Sequence, residues 1–183
     1  MTAIVDEIFE LFARYGSGRY GEDISIERHM LQSAALAESQ GAPGKVVVAA
    51  LLHDIGYFLH ADGETSVDQG RDINHEALGA DWLSRGFDEA VTAPIALHVQ
   101  AKRYLCAVEP DYFDLLSHES RRTLALQGGV MSENEAAAFA NEPAFEAALL
   151  LRRCDDGGKD VTMQTRDLAD FRGLLTAHLR QPD

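Results

Sequence analysis

A run of seven apolar residues, Val46 to Leu52, leads directly into the doublet His53-Asp54. A helix that is apolar on every side is stable only when it is covered on every side, so we expect the doublet to emerge inside the protein. A buried imidazole beside a buried carboxylate is costly without partners, and a metal ion satisfies both groups. This segment therefore predicts a closely packed fold with a polar centre that binds metal.

Helix-forming residues dominate the chain, and frequent stop signals divide it into short helices. Ala, Leu and Glu are abundant, β-branched residues are sparse, and no alternating strand pattern appears. The fold class is predicted to be an all-α helical bundle. We expect three helices in the first half, over about 25–40, 45–54 and 74–85, with a long surface loop at 60–73. A fourth helix begins at the cap Asp88 and has a break at Pro94. The remaining helices run from Ser117 to about 127, from the capping box at Ser132, from Pro143 to about 156, and over about 166–180.

Size and charge restrict the partners of the chain. Its 183 residues suit a single domain covering 1–183. There are 30 Asp and Glu against 16 Lys and Arg, and the net charge of −14 argues against nucleic acid and anionic membranes, because phosphate contacts need clustered cations. The apolar runs are far shorter than the ~20 residues that span a bilayer. The first residues lack a secretory signal and only two cysteines, Cys106 and Cys154, are present, so we expect a reduced, cytoplasmic protein.

Four histidines are spaced so that each falls on a different predicted helix or helix end. The intervals between them are 24, 22 and 23 residues, which lets the helices of a bundle direct one ligand each to a common centre. Each histidine taken alone is more often a core or surface residue than a ligand, so the combination carries the interpretation. The four are His29, His53, His75 and His98, whereas His60, His118 and His178 lack this context and are expected to be structural or exposed.

A second acid is needed to balance the charge of a metal. Asp155 follows the apolar run 147–151 near a predicted helix end, in a context like that of Asp54, and Asp156 is the alternative. The resulting pattern, H…HD…H…H…D, resembles the HD-domain superfamily of helical metalloproteins along nearly the whole chain, and its four histidines and two acids resemble the dinuclear branch. With Asp54 as the bridge, the resemblance implies His29, His53 and Asp155 as ligands of one metal and His75 and His98 as ligands of the other.

Two imidazoles and a carboxylate per metal suit iron, although the same arrangement can also hold a phosphoester for hydrolysis. Segments 98–105, 120–129 and 151–155 are similar to the mixed-valent diiron oxygenases that cleave the carbon–phosphorus bond of 1-hydroxy-2-aminoethylphosphonate. This resemblance implies two irons, Fe(II) and Fe(III), dioxygen as co-substrate, a small zwitterionic organophosphonate as partner, and oxygen chemistry beside Asp54, His75 and His98. It assigns the phosphonate to Lys102, Ser120, Thr123 and Arg152.

The chemistry of Lys102, Ser120, Thr123 and Arg152 agrees with a phosphonate ligand. A fixed cation, a guanidinium fork and two hydroxyls match a tetrahedral oxyanion. Lys102 follows His98 by one helical turn, and Arg152 precedes Asp155 by three residues, which favours binding over the alternative of solvated surface cations. A local basic pocket in an acidic protein is therefore expected. Six of the cations form the doublets Lys102-Arg103, Arg121-Arg122 and Arg152-Arg153 around it.

Three more residues bear on substrate choice. Tyr20 resembles the tyrosine that in this family closes over one iron before substrate arrives. Glu22 resembles the glutamate that receives the substrate ammonium. The interval between Tyr20 and Glu22 is one residue shorter than in the family, which affects whether the tyrosine can reach the iron. The alternative interpretation of Tyr20 is an ordinary aromatic residue in a loop. Tyr57 stands where close relatives have a histidine, and cation–π attraction of about 0.5–2 kcal/mol favours the trimethylated substrate over the amine.

Three other functions remain open from the sequence. A phosphohydrolase would use a metal-bound hydroxide at the same site on a nucleotide or small phosphate ester. A ligand-sensing HD domain usually lacks one or more ligands, and none is lost here. A related dinuclear enzyme opens an inositol ring, but Ser120, Thr123 and Arg152 suit a tetrahedral anion better than a neutral polyol.

Overall fold

The structure is a computed structural model that describes residues 3–19, 22–60 and 72–181. This part of the chain contains eleven α-helices, one short 3-10 helix and no β-strand, so the predicted all-α fold is confirmed. One isolated antiparallel bridge joins Phe87 and Leu179. The helices are α1 (Ala3–Tyr15), α2 (Ile26–Ser39), α3 (Gly44–Leu52), α4 (Gly56–Leu59), α5 (His75–Leu83), α6 (Glu89–Val108), α7 (Tyr112–Leu115), α8 (His118–Leu126), α9 (Glu133–Phe139), α10 (Phe145–Gly157) and α11 (Arg172–Ala177), with the 3-10 helix Leu168–Phe171 before α11.

Helix α3 lies at the centre of the bundle, as its apolar run predicts. Every residue from Val46 to Leu52 is buried. Helices α2, α6 and α10 pack around α3, α5 packs on α6, and the short α4 packs on α5. Helix α1, which the sequence analysis did not predict, buries Val5, Ile8 and Phe12 in the same core. The end of α3 therefore opens into the middle of the protein.

Side-chain caps start the helices where the sequence predicts them. Ser25 Oγ accepts from Arg28 N at the start of α2, and Asp88 Oδ1 accepts from Ala90 N at the start of α6. Ser117 caps α8 in the same way, and the predicted capping box at Ser132 opens α9. Each such cap satisfies a backbone N–H that has no partner inside its helix.

The expected break at Pro94 is wrong, because α6 runs unbroken from Glu89 to Val108. A proline inside a helix removes one backbone donor and costs ~3 kcal/mol in an isolated helix. Pro94 is buried here together with Val91 and Ile95, and α6 packs on α3, α5 and α10. Tertiary packing of this kind supplies most of a helix's stability and offsets the lost hydrogen bond.

Three other boundaries differ from the prediction. Helix α3 ends at Leu52, so His53 and Asp54 lie in the turn that leads to α4. Helix α10 begins at Phe145, two residues after Pro143. The predicted last helix is divided between the 3-10 helix and α11, and the backbone N–H of Arg180 donates to Gly86 O (2.7 Å), which ends the helical path early.

Among the helices described in residues 3–19, 22–60 and 72–181, none is long and apolar enough to cross a bilayer.

Candidate active site

The six predicted metal ligands come from five parts of the bundle and meet at its centre. Helices α2, α5, α6 and α10 carry one each, and the turn after α3 carries two. All are nearly inaccessible to solvent, the most exposed being Asp54 with 14% of its side chain accessible. They are His29, His53, Asp54, His75, His98 and Asp155.

One cluster forms around Oδ2 of Asp54. The Nε2 atoms of His29 and His53 lie 3.1 Å apart, and they lie 3.5 and 3.4 Å from this oxygen. Oδ1 of Asp155 lies 3.3 Å from His29 Nε2 and 3.9 Å from His53 Nε2. Two imidazole nitrogens and two carboxylate oxygens therefore face one point.

A second cluster forms around the other oxygen of the same carboxylate. The Nε2 atoms of His75 and His98 lie 3.2 Å apart, and they lie 3.3 and 3.8 Å from Oδ1 of Asp54. The two oxygens of Asp54 thus face two separate histidine pairs, which is the arrangement of a carboxylate that bridges two metal ions.

The backbone holds the second ring nitrogen of three of these histidines. A carbonyl oxygen can only accept, so each Nδ1 carries a proton, and in the neutral ring each Nε2 directs its lone pair at the cluster. Outer contacts of this kind fix the tautomer and orientation of metal-bound histidines. The bonds run from His29 to Gly158 O (2.9 Å), from His53 to Ala50 O (2.9 Å) and from His98 to Ile95 O (2.8 Å).

His75 is held by side chains. Tyr57 stacks on its ring, with centroids 4.2 Å apart and planes 16° apart. Nδ1 of His75 lies 3.4 Å from Oε2 of Glu76, a buried oxygen without a hydrogen-bond partner among the described residues. A carboxylate is a frequent outer partner of a metal-bound histidine, so this orphaned oxygen fits a histidine whose Nε2 binds metal.

The carboxylates of the first cluster favour a positive charge on His29. Burial opposes ionisation of Asp54, but His53, His29 and His75 outweigh it and hold the pKa of this carboxyl well below its usual range. Burial also opposes a charged His29, yet hydrogen bonds to Asp155 and Asp54 raise its pKa to about 9. A site that binds a proton so strongly suits a metal cation in its place.

The donor set therefore fits metal ions. Two groups of side chains, His29 with His53 and Asp54, and Asp54 with His75 and His98, have ligand atoms close enough to hold one ion each. Neutral imidazole and carboxylate donors suit divalent transition metals. A third compatible group joins Asp72 and Glu76 to His75.

A cavity of about 570 Å³, part of it open to solvent, lies against both clusters. Its wall includes ligands from each of them, so a small molecule in the cavity reaches the candidate metal positions directly. All the residues that the sequence analysis assigned to substrate also line it, namely Glu22, Tyr57, Lys102, Ser120, Thr123 and Arg152.

Buried cations and hydroxyls meet in one part of this wall. Nζ of Lys102 donates to Thr123 Oγ1 (3.0 Å) and to Gln127 Oε1 (2.6 Å). Nη2 of Arg152 donates to Ser120 Oγ (3.4 Å). Burial, with the nearby Arg152, lowers the pKa of Lys102 to about 7.

Arg152 also separates the roles of the two adjacent acids. Its Nη1 lies 2.7 Å from Oδ2 of Asp155, whose other oxygen faces the histidines. Asp156 instead pairs with the same guanidinium and accepts from the Tyr112 hydroxyl. Asp155 therefore faces the first cluster, and Asp156 does not.

The three basic doublets do not all contribute to the pocket. Lys102 and Arg152 line the cavity, but their neighbours in sequence do not. Adjacent residues on a helix point about 100° apart, so one member of a doublet turns away. Arg103 bonds to Glu135 and Gly129, Arg121 to the carbonyls of Asp114 and Leu116, Arg122 to Glu119, and Arg153 to Glu109.

The sequence analysis missed several residues of the cavity wall. Lys159 supplies a further cation, and Gln127 and Glu119 lie on the same helix as Ser120 or directly after it. Lys159 lies beyond the end of α10, so its spacing from Asp155 was not a usable signal. Predicted residue Tyr20 and residues 61–71 of the predicted loop lie outside the described residues. His60, His118 and His178 belong to no metal-compatible group within the described ranges.

Comparison with known proteins agrees with this geometry. The HD-domain family model matches residues 26–121. A glycine-betaine-forming 1-hydroxy-2-(trimethylamino)ethylphosphonate dioxygenase of Leisingera caerulea is 42% identical over 173 residues, 94% of this chain and 88% of the relative. A hydroxymethylphosphonate dioxygenase of Gimesia maris is 44% identical over 168 residues, 91% of this chain and 84% of the relative.

A third relative, an uncharacterised protein of Acanthamoeba polyphaga mimivirus, is 36% identical over 180 residues, 97% of this chain and 82% of that protein. The predicted resemblance to HD-domain phosphonate oxygenases is confirmed by the first two relatives and by the family match. The chain belongs to the HD-domain family and, within it, to the family of these phosphonate dioxygenases.

Proposed function

We propose that the protein is an iron-dependent oxygenase that cleaves the carbon–phosphorus bond of (R)-1-hydroxy-2-(trimethylammonio)ethylphosphonate or of its amino analogue. One O2 balances the reaction, because its two oxygen atoms convert the substrate into glycine betaine, or glycine, and phosphate without an external reductant. The named activities of the two phosphonate relatives support this reaction class. The observation that carries the proposal is the Asp54 carboxylate, whose two oxygens face separate histidine pairs beside a cationic cavity.

The ligands divide into two unequal sets. Two iron ions, one ferrous and one ferric, would supply the activation of O2. Beside the shared Asp54, the first set has three donors, and the second has two among the described residues, which leaves more positions for small molecules there. We assign His29, His53 and Asp155 to the first iron, and His75 and His98 to the second.

The cavity wall would bind and orient the substrate. The cations of Lys102 and Arg152 and the hydroxyls of Ser120 and Thr123 converge from α6, α8 and α10, which suits the oxygens of a phosphonate. Holding the phosphonate there keeps the adjacent carbon beside the metal clusters. Burial of these groups also limits the access of water to a reactive centre.

Three wider assignments accompany the proposal. We propose that 1–183 acts as a single domain, because α10, outside the matched segment 26–121, contributes Asp155 and Arg152 to the site. We propose a cytoplasmic location, supported by the free thiols of Cys106 and Cys154. The net charge of −14 supports a small ligand over a nucleic acid or a membrane.

The test is turnover of both phosphonates in air and under strict anaerobiosis, with the iron content of the same sample measured. We expect equal amounts of O2 consumed and phosphate released in air, and no phosphate release without oxygen. Phosphate release from a phosphonate, a nucleotide or another phosphate ester in the absence of oxygen would contradict the proposal and favour a phosphohydrolase.

Replacement of Lys102 by Met should have an effect that depends on pH. With a pKa of about 7, Lys102 is charged at pH 6 and largely neutral at pH 9. At pH 6 the variant should lose about tenfold or more in kcat/KM, because a hydrogen bond to a charged group contributes ~1.5–3 kcal/mol. The ratio of wild-type to variant kcat/KM should fall toward unity as pH rises through 7, and titration of the substrate cancels in that ratio.

Lys45→Met is the control, because Lys45 is half-exposed, pairs with Asp88 and lies outside the cavity wall. Its kcat/KM should match the wild type at every pH. A Lys102→Met defect that stayed constant from pH 6 to pH 9 would remove Lys102 as a titrating phosphonate contact.

Replacement of Tyr57 by His should shift preference from the trimethylated substrate toward the amine. Tyr57 lines the cavity beside His75, and its aromatic face is suited to a quaternary ammonium. Loss of a cation–π contact of about 0.5–2 kcal/mol corresponds to about 2- to 30-fold. The readout is the ratio of kcat/KM for the two phosphonates, and an unchanged ratio would dismiss this role of Tyr57.

A further inference from the structure

Lys159 and Glu22 carry opposite charges and form an ion pair in the cavity wall. Nζ of Lys159 lies 3.1 Å from Oε1 of Glu22, and it donates a 2.9 Å hydrogen bond to Oγ of Ser120. Both side chains are mostly buried, with 16% and 22% of their surface accessible, and both line the cavity that borders the metal-ligand clusters. The pair is therefore within reach of any small charged molecule that binds there.

Lys159 has more than one anion to choose from. Oδ1 of Asp155 lies 3.7 Å from its Nζ, and the flexible lysine stem lets the ammonium move between neighbours. Ser120 Oγ also receives a hydrogen bond from Arg152 (3.4 Å). Two cations directed at one hydroxyl are a suitable set of donors for an oxyanion, and an oxyanion beside Ser120 would attract Lys159 away from Glu22.

Among the described residues, the Glu22 side chain would then keep only a neutral contact. Its Oε1 accepts from the Ser117 hydroxyl (2.8 Å). A carboxylate that loses its cation in a largely buried place is unfavourable unless another cation replaces it. A molecule with an anion at one end and a cation at the other satisfies both side chains at once.

We propose that Glu22 and Lys159 form an exchangeable ion pair that couples recognition of the two charged ends of a zwitterionic phosphonate. This inference rests on the proposed function. Lys159 transfers to the phosphonate beside Ser120, and the substrate ammonium takes its place at Glu22. A phosphonate without a cation obtains Lys159 only by leaving Glu22 unpaired, so the pair discriminates against it.

This discrimination concerns the substrates for which the two phosphonate relatives are named. One name specifies a trimethylamino group, and the other specifies hydroxymethylphosphonate, which has no cation. The two compounds are therefore suitable probes. Binding of each to the iron-loaded protein is measured by calorimetry without oxygen, so that affinity is read independently of turnover.

Glu22→Gln should change the two affinities in opposite directions. The amide still accepts from Ser117 but has no charge for the ammonium, so the trimethylammonio phosphonate should bind about tenfold more weakly. The same change frees Lys159, so hydroxymethylphosphonate should bind roughly threefold or more tightly. In a Lys159→Met background, Glu22→Gln should no longer tighten hydroxymethylphosphonate.

Glu109→Gln is the matched control, because it breaks the exposed ion pair with Arg153 and should leave both affinities unchanged. Shifts of the same sign for both probes with Glu22→Gln, or no shift, would overturn the inference while leaving the proposed function intact. Failure of the wild-type protein to bind either phosphonate would contradict the proposed function and the inference with it.

Discussion

Replacing Asp54 by Ala should remove both metal ions from the protein and abolish turnover. One oxygen of Asp54 faces His29 and His53, and the other faces His75 and His98. Without this carboxylate the second cluster keeps only two neutral imidazoles among the described residues, and the first cluster loses half of its negative charge. Within the described part of the chain, the second position is then left with imidazoles alone, which bind a dication weakly, and the first keeps two imidazoles and only one carboxylate, that of Asp155. Both positions should therefore lose their ions.

Asp155→Ala separates this prediction from a general loss of charge. Asp155 approaches only the first cluster, so its replacement should reduce the metal content from two ions toward one. Asp81→Ala, at an exposed position on α5, should keep both ions. Metal analysis of the purified variants and the wild type provides the measurement. Retention of two irons by Asp54→Ala would disprove the assignment of Asp54 as the bridge.

The central part of the site could be predicted because it depends on local pattern. The buried run before His53 and Asp54 requires a central helix, and one histidine on each of α2, α5 and α6 then faces the end of that helix. The choice between Asp155 and Asp156 was left open by the sequence. It depends on the direction of two adjacent side chains on α10, which is decided by the contacts of Asp156 with Arg152 and Tyr112.

Lys159 could not be predicted, because its position depends on a contact distant in sequence. It lies beyond the end of α10, so helical periodicity does not determine where its side chain points. The next residue, Asp160, is fixed from α2 by Gln32, which donates to Asp160 O (2.7 Å) and accepts from Asp160 N (3.1 Å). The unbroken α6 has the same kind of cause, since packing overrides the local preference of Pro94.

A change that touches no candidate ligand, Gly56→Ala, should also disable the second cluster. Helix α5 approaches the start of α4 so closely that a Cβ on Gly56 would lie 1.9 Å from the carbonyl oxygen of His75 and 2.7 Å from its carbonyl carbon. These are backbone atoms at the start of α5, and they cannot rotate away as a side-chain end can. Helix α5 must therefore shift and carry His75 with it.

The expected result is lower stability together with selective loss of one metal. Overpacking of this kind costs ~1–3 kcal/mol or more, and each kcal/mol lowers Tm by roughly 2–4 °C in a protein of this size. His29, His53 and Asp155 lie on other elements, so the first metal should remain while the second is lost.

Gly173→Ala is the matched control, because nothing lies within 4 Å of the added Cβ within α11. It should keep both metals and leave stability equal or higher by about 0.5–1 kcal/mol, since alanine favours helix over glycine. The measurements are the Tm from thermal unfolding and the number of bound metal ions in each variant. A Gly56→Ala protein with wild-type Tm and two bound metals would show that the close contact between His75 and the start of α4 does not position the second cluster.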